Sequence, residues 1–162
     1  MLRLRLTIAG ETQVARAFDV LARDAQDLRD PLAETHDHLR RVVGEQFASE
    51  GSHGGQRWQD LTPAYAERKA QHYGDGRPIL VASGDLRAAW LARQPLELSA
   101  HRLVMGPREG SEEETRSVAH QTGAGHMPQR KIVNLTLGDR RGIDRIFAEH
   151  FSAVIRRLFG AG

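Results

Sequence analysis

The chain has 162 residues, 40% apolar and 6% aromatic, with 23 Lys and Arg against 21 Asp and Glu, a formal charge of +2, and no cysteine. That length fits one domain with a modest aliphatic core. Missing thiols exclude a disulfide scaffold, a thiolate metal centre and a cysteine nucleophile, near-balanced charge gives no overall nucleic-acid footprint, and no apolar run reaches the ~20 residues a membrane helix needs.

Residues 2–9 alternate Leu2, Leu4, Leu6 and Ile8 with Arg3, Arg5 and Thr7. That is the period of a strand with one buried face, and it is too short and too alternating for a signal peptide. Residues 11–28 predict a helix with Val14, Phe18 and Leu21 on one side. Asp30-Pro31 marks the next start, with Asp30 as cap and Pro31 at the first helical position. That helix runs to about residue 47 or 50 on a stripe of Leu32, Leu39, Val42, Val43 and Phe47. Gly44 inside it points to a close helix contact, since a mid-helix glycine otherwise costs about 1 kcal/mol against alanine. The glycine-rich run 51–55 breaks the helix.

The stretch 58–86 is too irregular for one helix or one strand. Thr62 caps and Pro63 opens a short helix to about residue 72, which carries Tyr65 and Arg68-Lys69. Gly74-Asp75-Gly76 ends it. The apolar run 78–81 leads to the turn Ser83-Gly84-Asp85, with Gly84 at positive φ. The whole stretch reads as a long connector laid over a core made by its flanks. Next, 96–98 and 102–106 predict a hairpin. Residues 107–115 predict a loop in which Glu109, Glu112, Glu113 and Glu114 want solvent or basic partners. Residues 116–121 predict a short strand holding His120 and Gln121, and 122–129 a loop with Gly123 and Pro128. Segment 131–137 reads as a strand or a helix entry. Gly138-Asp139 caps a last helix on Ile143, Ile146, Phe147, Phe151, Val154, Ile155 and Leu158, with Gly160 as its stop. Blocks of elements without regular alternation predict an α+β fold: a small antiparallel sheet packed with about three main helices. The expected organisation is a single domain over 1–162, with flexible loops near 50–58 and 107–128.

One pattern spans these elements. It comprises Trp58, Leu61, Thr62, Pro63, Tyr65 and Lys69, then Ile79, Leu80, Ser83, Gly84 and Leu86, then Val118 to Gln121, Gly123, Pro128 and Arg130. In order and spacing it resembles the phage virion morphogenesis family, the tail completion proteins of Mu-like phages and prophages. The resemblance implies a structural protein of the phage neck or tail end. Such a protein would act in tail completion and head–tail joining as a homo-oligomeric ring, six subunits being expected, in the virion after assembly in the host cytoplasm. Implied partners are copies of itself, adjoining neck or tail-tube proteins, and DNA passing through the lumen, with no cofactor and no membrane. The chain departs from the pattern at Gln129, where a small residue is expected, and in its longer, more acidic 109–114 segment.

No residue set reads as a reaction centre, so no enzyme is expected. The eight histidines include no H-E-x-x-H, and His36 and His38 fall on different sides of a helix. Ser83-Gly84 lacks the nucleophile elbow, and 51–55 lacks the G-K-[ST] ending of a phosphate loop. The candidate contact residues are Trp58, Tyr65, Lys69, Glu112, Glu113, Glu114, His120, Gln121, Arg130, Arg141 and Arg145. For Trp58 the competing role is to pin its loop to the core; for Arg130, to be solvated after a turn. From 129 to 162 there are seven basic and three acidic residues, +4 in all. Such a surface could face the acidic run of a neighbouring copy, or phosphates. The latter defines the rival reading, a DNA-binding or DNA-processing protein using Arg141, Arg145, Arg156 and Arg157.

Overall fold

The computed structural model describes residues 11–125 and 127–159. The expected strand at 2–9, the side chain of Val14 and the stop at Gly160 lie outside the described residues. Six α-helices follow one another: α1 (Glu11–Asp24), α2 (Arg29–Ala48), α3 (Pro63–Tyr73), α4 (Asp85–Trp90), α5 (Glu112–Thr122) and α6 (Leu137–Phe159). A 3-10 turn, Ser52–Gly54, follows α2, and a hairpin of β1 (Glu97–Leu98) and β2 (Leu103–Val104) separates α4 from α5. The hairpin is antiparallel, with Glu97 opposite Val104 and Leu98 opposite Leu103. The fold is therefore α+β, with a minimal sheet and three short helices beside the three long ones.

α2 is the axis. On one side it packs against α6, which also carries α1. On the other, its Val43 and Phe47 meet Trp58, Ile79, Val81, Leu86 and Ile132 in the core. The Trp58 and Phe47 rings lie edge to face, centroids 5.7 Å apart, an arrangement worth about 0.5–1.5 kcal/mol beyond the area it buries. Four of those seven core side chains come from 58–86. The connector thus makes the core and is not laid over one.

Several boundaries differ from expectation for local reasons. α1 buries Ala17 and leaves Phe18 67% exposed, so its inward face is rotated from the predicted stripe. Asp30 does not cap α2: the helix begins at Arg29, and Leu28 holds the cap position without a side-chain bond. Asp27 takes the capping part by accepting from the Arg29 N–H at 3.2 Å. That N–H and, more strongly, the Arg29 guanidinium hold Asp27 down at a pKa of about 2. Pro31 is buried two residues into the helix. Thr62 does sit at the cap of α3, in extended conformation and without a side-chain bond, followed by Pro63.

The largest correction falls on 107–121. Residues 112–122 are helical, so the acidic loop and the following strand are largely one helix. Ser111 caps it, accepting from the Glu114 N–H at 3.2 Å, while Glu114 accepts from Gly110 N–H at 2.6 Å. Three glutamates in a first turn are stabilised by the positive end of the helix dipole, which outweighs their mutual repulsion. A similar reciprocal pair opens α6. Thr136 Oγ1 accepts from the Asp139 N–H, and Asp139 accepts from Thr136 N–H at 2.7 Å. Asp139 is thus the inner partner of the cap, and the helix starts at Leu137, before the expected Gly138.

The glycine run after α2 is packed. Gly51, at φ +95°, would bring a Cβ within 2.5 Å of the Trp58 ring, and a Cβ on Gly54 would collide with Asn134. Gly54 N–H donates to Gln46, and its carbonyl accepts from Asn134. Beside it, Glu50 accepts from Ile79 N–H at 2.8 Å and from Arg57 at 3.0 Å.

Two carboxylates should govern acid stability. The Ile79 N–H, acting against partial burial, holds Glu50 below its ordinary 4.5. Burial works to raise Asp139, but its bonds from Thr136 and His53 outweigh it and hold the group below 3.8. Both groups have depressed folded-state values, so their stabilisation is present above the unfolded values and lost as pH falls through the folded ones. Tm should be level near neutrality and fall below about pH 4.5. Glu50→Gln should lower neutral stability by about 1 kcal/mol and flatten that fall, as read by thermal melts across pH.

Candidate functional site

Three stretches distant in sequence meet around a cleft of ≈ 620 Å3. α3 and the turn before it contribute Asp60, Tyr65, Arg68, Lys69 and Tyr73; the 80–86 turn contributes Leu80, Ser83, Gly84 and Leu86. α5 and its exit contribute Arg116, His120, Met127, Pro128 and Arg130. Of the residues singled out from sequence, the cleft gathers Tyr65, Lys69, Gly84, His120, Pro128 and Arg130.

Its two buried cations are committed to backbone. Lys69, 6% exposed, donates from Nζ to the carbonyls of Arg77, at 3.0 Å, and Pro78. Desolvation pulls its pKa down, against the nearby Glu50 charge that favours the ammonium. Arg130 is likewise 6% exposed, and donates to the carbonyls of Gln59 at 3.0 Å and Asp60 at 3.3 Å. Burial lowers its pKa too, but a guanidinium stays charged at any relevant pH. His120 is shifted downward by burial first and by Arg130 second, which makes it a neutral imidazole near pH 7. Its Nδ1 is closed off from water with no hydrogen-bond partner.

The rim is different. Tyr65 and Tyr73 are 46% and 44% exposed, and the Arg68 guanidinium lies 5.8 Å from the Tyr65 ring centre. Arg116 is exposed and pairs with Glu112 one turn earlier at 2.6 Å. Tyrosine and arginine at a concave edge are the residue types that dominate protein contacts.

The model of the phage virion morphogenesis family matches residues 10–152. The chain belongs to this family. No curated protein and no solved structure matches it. Family membership gives the chain a structural or assembly role in building a phage particle.

The family pattern runs directly through the cleft and its supports. Trp58 is 4% exposed and donates from its indole to Lys131 O at 3.0 Å, so in this chain it anchors the core and is not a surface contact. Gln121 lies behind the cleft. Its Oε1 accepts from Ile132 N–H at 2.8 Å and Val133 N–H at 3.0 Å, and its Nε2 donates to Val133 O at 2.9 Å. Pro63 opens α3, and Gly123 ends α5 at φ +72° with Gln129 against it. Gly84 takes φ +105° as the turn requires. Arg141 and Arg145 are exposed on α6, away from the cleft, while Glu112, Glu113 and Glu114 form the first turn of α5. Sequence reasoning gave no weight to Arg116 or Tyr73. The S-x-x-E signature at Ser111 to Glu114 was the available signal, because a helix beginning there puts Arg116 and His120 one turn apart on one face. Among the described residues, no group of His, Asp and Glu is arranged to hold a metal ion, and no helix is long and apolar enough to cross a membrane.

Ile132 is fully buried, so removing its acceptor leaves the N–H with no water to turn to. Gln121→Ala should cost about 3 kcal/mol and lower Tm on the order of 10 °C. Gln121→Glu, which keeps the acceptor and loses the donor, should fall between. Calorimetry of the two variants checks this order.

Proposed function

We propose that the chain is a structural protein of the phage neck or tail end, completing the tail and joining it to the head as a closed ring of identical subunits, six in number. It transforms no substrate. One observation carries the reading: the acidic first turn of α5 and the exposed arginines of α6 lie on helices that do not touch within one copy. A closed ring needs two different patches per subunit, meeting head to tail. Glu112, Glu113 and Glu114 of one copy set against Arg141 and Arg145 of the next supply such a pair, with orientation fixed by charge. Family membership supports the virion setting. The non-catalytic part is supported by the cleft itself, whose buried Lys69 and Arg130 spend their hydrogen bonds on backbone carbonyls.

The test is structural. With a label on this chain, electron microscopy of purified particles should show a closed ring at the head–tail junction. Arg141→Glu with Arg145→Glu changes only exposed side chains, so Tm should hold while joined particles fall at least about tenfold, the scale expected when rim charges are reversed. Label elsewhere in the particle, or full joining by the double variant, would sink the ring.

A further inference from the structure

We infer that the cleft between α3, the 80–86 turn and α5 is a docking site for an extended acidic segment of a different virion protein. The inference stands on the cleft alone and does not need the ring.

Charge sets the chemistry of the occupant. Arg68, Lys69, Arg116 and Arg130 line the cleft with Asp60, and although Arg116 pairs with Glu112 and Glu50 lies near Lys69, the lining keeps a positive excess. Two of these cations are buried in the wall, where weak screening lets their field reach further than on open surface. His120, its pKa lowered by burial, adds no competing proton equilibrium near pH 7.

Shape and rim set the class. Tyr65, Tyr73 and Met127 stand 41–46% exposed around the opening, so the occupant carries apolar side chains as well as carboxylates. A cleft of ≈ 620 Å3 holds a few side chains entering from an extended chain. The acidic turn of a second copy fits poorly, because it is a convex helix end about 10–12 Å across. The wall is also held in place. Leu80, which lines it, sits at φ +62°, a left-handed conformation that a leucine keeps only where its surroundings fix it. Such positions concentrate at ligand clamps.

The probe is a fluorescein-labelled peptide alternating glutamate or aspartate with leucine and phenylalanine, of about six residues. Controls are the same peptide with lysine at each acid, a peptide of residues 109–116 of this chain, and a single-stranded oligonucleotide. Fluorescence anisotropy should show saturable binding of the acidic peptide in the micromolar range, weakened at least about tenfold by Arg68→Ala with Arg116→Ala and by high salt. Tyr65→Ala should weaken it similarly. All three side chains are exposed, so Tm should hold in every variant. Absence of saturation up to about 1 mM, equal binding of the lysine peptide, or an unaffected double variant would overturn the inference. So would tighter binding of the oligonucleotide or of the 109–116 peptide. None of these readouts depends on particle joining, so this inference and the ring can fail separately.

Discussion

The structure hangs on a segment that has no sheet to belong to. Residues 130–133 run along the core, with Arg130 and Ile132 buried and Lys131 exposed, yet they pair with no strand among the described residues. Most of their peptide groups are satisfied by side chains. Gln46 and Trp58 both donate to Lys131 O, and Gln121 serves Ile132 and Val133. Arg130 N–H completes the set on His120 O at 2.8 Å. A buried peptide group left unpaired costs about 1–3 kcal/mol, so five such groups approach the whole net stability of a typical domain, about 5–15 kcal/mol. The donors and acceptors come from α2, the connector and α5. The segment therefore fixes where α5 sits relative to α2, and with it where His120 and Arg130 meet α3.

What was legible in the sequence is what local chemistry decides. The turn at Gly84, the start of α3 at Pro63 and the hairpin across Ala100 and His101 depend on residues within a few positions of each other, and each lies close to where turn and cap preferences put it. The clamp on 130–133 could not be read that way. Gln46 and Lys131 are 85 residues apart, and a glutamine on a helix reads as solvated until its partner is known. Segment 131–137 reads as a strand or a helix entry because its residues suit either. Its first part is irregular, with a bend at Ile132 and peptide groups held by side chains, and Leu137 enters α6. The acidic run misleads for another reason: like charges repel in a loop, but at a helix start the dipole favours them, and Ser111 with Glu114 is the capping signature of such a start.

Residues of the family pattern act mostly as braces. Trp58, Lys69, Gln121 and Arg130 each hold the backbone of a distant segment. Lys69 is the most costly of these, since a buried ammonium needs compensation for the water it leaves. Two carbonyls and the nearby Glu50 charge supply it. Arg130 fills the same kind of role toward the turn before α3. These two cations would be poor proton donors or acceptors in a reaction, but they give the cleft a fixed positive wall.

Glu50 and Lys69 grip one turn from opposite ends. Glu50 takes the Ile79 N–H, Lys69 takes the carbonyls of Arg77 and Pro78, and Val81 N–H closes back on Pro78 O at 3.0 Å. That grip is why Leu80 can remain left-handed between them, at a cost of order 1 kcal/mol or more. The turn forming one side of the cleft is already fixed by the buried Lys69 ammonium and the half-buried Glu50 carboxylate, and α5 is already a helix. A partner arriving there pays to order its own segment and little to order this one. Affinity then depends on charge and fit at the rim, and on the clamp at 130–133 that holds the rim's supports in place.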